Sequence, residues 1–173
     1  ALVERVAQLH QVGFDDGVEA WHDETLFEGR PRGRRRIDEN SAMQIETGVS
    51  LRPYNTFALP SLARVMVRVA SDADVRAVVD HPELGRAPKF ILGGGSNIVL
   101  TRDISAVVLK VEVAGRRLQE TRDDAFIVEA GAGENWHDFV TWTLEQGLPG
   151  LENLALIPGT VGAAPVQNIG AYG

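Results

Sequence analysis

The residues of this chain best suited to chemistry are a run of glycines rather than side-chain acids or nucleophiles. Phe90-Ile91-Leu92-Gly93-Gly94-Gly95-Ser96-Asn97-Ile98-Val99-Leu100 reads as a buried apolar strand, a glycine turn and a second apolar run. Three consecutive glycines permit backbone angles forbidden to residues with a Cβ, and they let a ligand approach the main chain closely. Successive N–H groups in such a turn form a concave anion site, and Ser96 and Asn97 add side-chain donors at its rim. A cofactor carrying a diphosphate suits it. An empty turn between two strands fits the same residues equally well.

The turn fails two familiar nucleotide motifs. No lysine follows it, so it is not a P-loop. Ile98 stands where the dinucleotide fingerprint needs its third glycine, and the residues beyond read as a strand rather than a helix. No metal site is expected, because His10, His22, His81 and His137 are scattered and none lies three or four positions from another. His137 reads as a surface histidine without an acid partner. The chain has no cysteine among its 173 residues, which rules out disulfides, thiolate metal sites and a cysteine nucleophile and fits a reducing cytoplasm. Seventeen basic against twenty-four acidic residues give a net charge of −7, against a general affinity for nucleic acid or anionic membranes. Hydrophobic content of 44% with 24% charged residues is that of a soluble globular protein. No apolar run approaches the roughly 20 residues of a membrane span, and the first residues do not read as a signal peptide.

The elements that must position the turn follow from periodicity. Alternation over Ala63–Val69 predicts a half-buried strand with Val65, Val67 and Val69 inward. Ser71 caps a helix whose first turn holds Asp72 and Asp74, whose apolar stripe is Val75, Val78 and Val79, and which Pro82 stops. Strands are expected at Lys89–Leu92, Ile98–Leu100, Ala106–Lys110 and Phe126–Ala130. A helix from about Glu134 to Gln146 follows, burying Trp136, Phe139, Val140, Thr143 and Leu144 and ending at Gly147. From Leu151 to Gly173 the chain is apolar yet dense in Gly and Ala. Backbone packed against a flat cofactor ring and tight helix–sheet packing both account for that composition. Residues 1 to about 42 differ: a short helical pattern ending near Gly13, an acidic stretch with Trp21, then Arg30, Arg32, Arg34, Arg35 and Arg36, which read as a solvated flexible linker ahead of the alternative of a nucleic-acid arm. The chain divides into an extension at 1–48 and a domain at 49–173.

Four blocks then occur in one order: Tyr54-Asn55-Thr56-Phe57, Leu92-Gly93-Gly94-Gly95-Ser96-Asn97, Gly131-Ala132-Gly133-Glu134-Asn135-Trp136, and Gly150-Leu151-Glu152-Asn153-Leu154 through Gly170-Ala171-Tyr172-Gly173. In this the chain from about Leu51 onward resembles the UDP-N-acetylenolpyruvoylglucosamine reductases. The resemblance implies an α+β fold, an FAD-binding domain of the vanillyl-alcohol-oxidase (PCMH) type with two small lobes clasping the flavin. It implies FAD as cofactor and NADPH as hydride donor. The substrate would be UDP-N-acetylglucosamine enolpyruvate, reduced to UDP-N-acetylmuramate in the cytoplasm for peptidoglycan synthesis. Leu92, Gly93, Gly94, Gly95, Ser96 and Asn97 would cradle the FAD pyrophosphate, with Asn55 and Thr56 beside the adenine or phosphate end. Pro158, Gly159, Ala163, Ala164, Val166, Gly170 and Ala171 would line the flavin. The family's catalytic residues and its carboxy-terminal substrate domain lie after the Gly-Ala-Tyr-Gly block, so no residue here is assigned to catalysis, and the chain alone is expected to be inactive. Two other readings compete: a stand-alone flavin- or nucleotide-binding module without catalysis, and a different FAD-dependent oxidase of the same superfamily.

Overall fold

A computed structural model describes residues 43–121 and 125–172. The helical pattern near Leu2–Gly13, the acidic stretch and the arginine cluster lie outside the described residues. Among the described residues there are six strands and two α-helices: β1 (Ile45–Ser50), β2 (Leu62–Val69), α1 (Asp72–Asp80), β3 (Lys89–Leu92), β4 (Ile104–Val111), β5 (Arg116–Thr121), β6 (Phe126–Ala130) and α2 (Trp136–Glu145). The first lobe is a four-stranded mixed sheet in the order β1-β2-β4-β3. β1 pairs antiparallel with β2, while β4 runs parallel to both β2 and β3. The second lobe joins the β5–β6 antiparallel pair to α2 and a tail of short 3-10 turns.

β2 is buried on both faces rather than one. Val65, Val67 and Val69 pack with Met43, Ile45, Val78, Val107 and Leu109 under α1. Ala63 and Met66 join Leu51, Leu92, Leu100 and Val108 on the opposite side. An irregularity in the β2–β4 register between Ala63 and Val65 changes the phase of the strand there. A strand central in its sheet and covered on both sides loses the polar face that alternation implies. α1 is capped as expected: the Ser71 hydroxyl accepts from the Asp74 N–H at 3.2 Å. Of its stripe only Val78 is buried, and Val79 faces outward. Likewise Leu144 of α2 is exposed, while Trp136, Phe139, Val140 and Thr143 are buried.

Three sequence readings change. The boundary drawn between 48 and 49 falls inside β1, so the sheet begins upstream of it. The strand at Ile98–Leu100 is absent: this segment is irregular, with Leu100 buried against the sheet and Val99 exposed. Because β3 and β4 are parallel neighbours, the glycine turn cannot be a hairpin. It opens a crossover that runs from the end of β3 back to the start of β4, and the apolar residues of that crossover cover the sheet. β5, too polar and exposed for periodicity to mark it, pairs with β6.

Candidate functional site

The glycine turn leaves the sheet at the carboxyl end of β3, the edge where parallel strands deliver their loops to a ligand. Gly95 has φ +67°, and an added Cβ would fall on the Tyr54 carbonyl. Only glycine fits there. The Gly95 carbonyl accepts from the Thr56 N–H at 3.1 Å and from the Thr56 hydroxyl at 3.5 Å. Tyr54-Asn55-Thr56 is therefore a clamp on the turn. Asn55 is buried, and its amide nitrogen donates to the carbonyls of Leu51 at 2.8 Å and Leu59 at 3.2 Å. Its Oδ1 accepts from the Leu59 N–H at 2.9 Å. The Asn55 side chain is thus committed to shaping the clamp.

A second loop meets the first. A Cβ on Gly94 would lie 3.6 Å from Gly159 Cα, and one on Gly93 would lie 2.9 Å from Thr160 Oγ1. Gly159 itself has φ +123°, and a Cβ there would stand 3.4 Å from Ser96 Oγ. Two stretches of bare backbone from two lobes face one another across Cα surfaces. The amino end of α2 holds the second stretch in place. The Trp136 N–H donates to the Gly159 carbonyl at 3.1 Å, and the Val161 N–H donates to the Glu134 carbonyl at 2.9 Å. Trp136 Nε1–H reaches the Leu154 carbonyl at 2.8 Å, and His137 Nδ1 accepts from the Leu156 N–H at 3.2 Å. His137 is therefore not idle: it fastens the loop before Pro158.

The Gly131-Ala132-Gly133 block joins the lobes instead of facing a ligand. Cβ atoms at Gly131 and Gly133 would strike the backbone of Glu112–Ala114, and one at Gly162 would strike Ala132. Glu134 locks this junction. Its carboxylate accepts from the Gly115 N–H and from Arg116, each at 2.6 Å. The Gly115 N–H and then Arg116 hold its carboxyl below the usual carboxylate range, against the opposing effect of burial.

The electrostatics favour an anion. Among the described residues, the N–H groups of Gly94, Gly95, Ser96 and Asn97 donate no hydrogen bond, and neither do the side chains of Ser96 and Asn97. Beneath them the Lys110 ammonium donates to the Gly93 carbonyl at 2.9 Å. Burial lowers its pKa, Glu112 raises it and Arg68 lowers it further. Arg68 is engaged elsewhere, with Glu46 at 2.9 Å, Glu112 at 2.6 Å and the Tyr54 hydroxyl at 2.7 Å. Lys110 escaped the sequence reading, although a lysine near the end of the apolar run Val107-Val108-Leu109 was its signal.

The remaining predicted residues divide. Leu92 is a core side chain that anchors the turn, and Ala164 is buried with Trp136, Phe139, Val140 and Ile169. Ala163 and Gly159 are half-buried, while Pro158, Val166, Gly170 and Ala171 are exposed on the tail. The small-residue tail thus packs tightly against α2 on one side and presents bare backbone on the other. Gln167, which the sequence did not mark, has a buried amide nitrogen without a hydrogen-bond partner among the described residues. Unused N–H groups, a glycine face with room beside it and an orphaned buried amide are what a dinucleotide's diphosphate and ring require. The residues fit FAD. Among the described residues no group of three or more His, Asp or Glu side chains could hold a metal ion, and no helix is long and apolar enough to cross a membrane.

The chain is similar to known proteins over most of its described length. Over 135 residues the chain is 60% identical to the UDP-N-acetylenolpyruvoylglucosamine reductase of Azoarcus sp. (strain BH72), covering 76% of this chain and 39% of that protein. It is 56% identical to the corresponding reductase of Burkholderia cenocepacia (strain HI2424), again covering 39% of the relative. The crystal structure of the Thermus caldophilus UDP-N-acetylenolpyruvylglucosamine reductase superposes with a TM-score of 0.52 at 29% identity, covering 70% of this chain and 41% of that one. The chain thus spans about two fifths of the length of the curated relatives it matches. Residues 63–173 match the family described as "FAD binding domain", and this chain belongs to that family.

Proposed function

We propose that this chain is the FAD-holding part of a UDP-N-acetylenolpyruvoylglucosamine reductase. In that reaction NADPH and a proton reduce the enolpyruvyl double bond of UDP-N-acetylglucosamine enolpyruvate, giving UDP-N-acetylmuramate and NADP⁺ in the cytoplasm. FAD, when bound, supplies the two-electron hydride transfer between donor and substrate. The observation that carries the reading is the run of four unused N–H groups from Gly94 to Asn97, set against the bare backbone of Gly159. Gly93–Asn97 hold the diphosphate with Lys110 beneath them. Thr56 positions the turn, with Asn55 shaping its clamp, and Pro158, Gly159, Ala163, Val166, Gly170 and Ala171 offer main chain to the flavin. Ala164 and Leu92 support these loops from the core. No described side chain is assigned to proton transfer. The domain begins with Met43 and β1, and residues 1–42 are an extension outside it.

Titration of the purified chain with FAD, followed by flavin fluorescence and visible absorbance, tests the proposal. Saturable quenching and a flavin spectrum that survives gel filtration are expected. Absence of both overturns it.

A further inference from the structure

Gln167 carries an inference that rests on the FAD reading and goes beyond it. Its Nε2 is shut away from solvent and, among the described residues, has no acceptor. An amide donor in that state is destabilising unless something supplies an oxygen. Its position explains what that something is. The point where a Cβ on Gly159 would sit lies 3.5 Å from Gln167 Nε2 and 3.4 Å from Ser96 Oγ. The amide therefore ends where the two glycine loops meet, beside N–H groups of the first loop that are also unused.

The side chain is held there by its surroundings. The Gln167 N–H donates to the Ala163 carbonyl at 3.0 Å, and the Ile169 N–H donates to the Ala164 carbonyl at 3.0 Å. Ala164 and Ile169 are anchored in the cluster under α2. The neighbours Val166 and Asn168 are exposed, whereas the Gln167 amide nitrogen is buried. An apolar side chain would fill the same space without leaving an unpaired donor.

We infer that Gln167 donates a hydrogen bond to a diphosphate oxygen of the bound dinucleotide, so that the second lobe grips the anion held by the glycine turn. The donors gathered here are main-chain N–H groups, a serine hydroxyl and an amide, and a group with several acceptor oxygens satisfies them together. A flavin carbonyl offers a single acceptor and matches fewer of them.

Two variants test this, with FAD, ADP and FMN as probes. In Gln167→Leu the apo protein should unfold at the same denaturant concentration as the wild type or a higher one, because the orphaned donor is gone. Its affinities for FAD and ADP should fall about tenfold, the size of one hydrogen bond to a charged group. Gln167→Glu keeps the shape but opposes the anion, and should weaken both ligands by more than Gln167→Leu does. A residue that merely fills space would lower stability in Gln167→Leu and leave ADP affinity unchanged. Wild-type affinity for FAD in both variants overturns the inference. So does a loss confined to FMN with ADP unaffected, which places the acceptor on the flavin. Failure of the wild-type chain to bind FAD overturns the functional reading instead, and the two failures are thereby separate.

Discussion

Adjacent glycines in the turn should fail for different reasons, and Gly95→Ala set beside Gly94→Ala exposes the difference. At Gly95 the added methyl meets the Tyr54 carbonyl at a backbone φ of +67°. The left-handed conformation costs an alanine about 1–2 kcal/mol. Relief of the overlap must also move the turn off Thr56, whose two hydrogen bonds to the Gly95 carbonyl contribute about 0.5–1 kcal/mol each. A loss of about 2–4 kcal/mol follows for Gly95→Ala. At Gly94 the methyl finds ordinary contacts, 3.6 Å from Gly159 Cα and 3.7 Å from Thr160 Cγ2. The apo fold should accept it within about 0.5 kcal/mol, as at an exposed position free of strain. The same methyl occupies space on the glycine face where the anion approaches. Loss of one hydrogen bond to a charged group, about 1.5–3 kcal/mol, weakens FAD by roughly 10- to 100-fold. Urea unfolding of the apo proteins and fluorescence titration with FAD measure the two effects separately. A Gly95→Ala protein as stable as the wild type would refute the clamp. A Gly94→Ala protein with wild-type FAD affinity would refute the cradle.

Asn55→Ala removes three hydrogen bonds, one to Leu51 buried and two with Leu59 part-buried, and leaves backbone groups unpaired. A loss of about 2–3 kcal/mol is expected in urea unfolding, and a change under 1 kcal/mol would show the clamp is held by other means. Glu134→Gln should destabilise the lobe junction by about 1–2 kcal/mol at neutral pH through its lost charge on Gly115 and Arg116. Because the folded-state pKa is depressed, that contribution is fully present above the unfolded carboxylate value of about 4.3 and is lost as pH falls through the folded value. Unfolding curves of wild type and variant should therefore draw together as pH falls from about 4.3 through the folded value; a gap that persists once that carboxyl is protonated in the folded protein would assign the effect to packing.

Some of this protein was legible from residue order alone. The cap at Ser71, the strand at Lys89–Leu92 and the buried face of α2 follow from local chemistry and period, which neighbours in sequence decide. The glycine turn marked a backbone free to approach something closely, although an empty turn fits the same three glycines equally well. What it approaches was not local. That Gly94 faces Gly159, that Tyr54 covers Gly95 and that Asn55 is turned inward depend on loops brought together from distant parts of the chain. The inward set Val65, Val67 and Val69 follows from alternation, but the cover over β2's second face and the loop at Ile98–Leu100 do not, for the same reason. An apolar residue records that it is buried but not which surface buries it, and only the sheet order β1-β2-β4-β3 decides that. Gln167 left no mark in the sequence, since an amide's role depends on whether an acceptor lies within reach, and the packed tail alone decides where that amide ends.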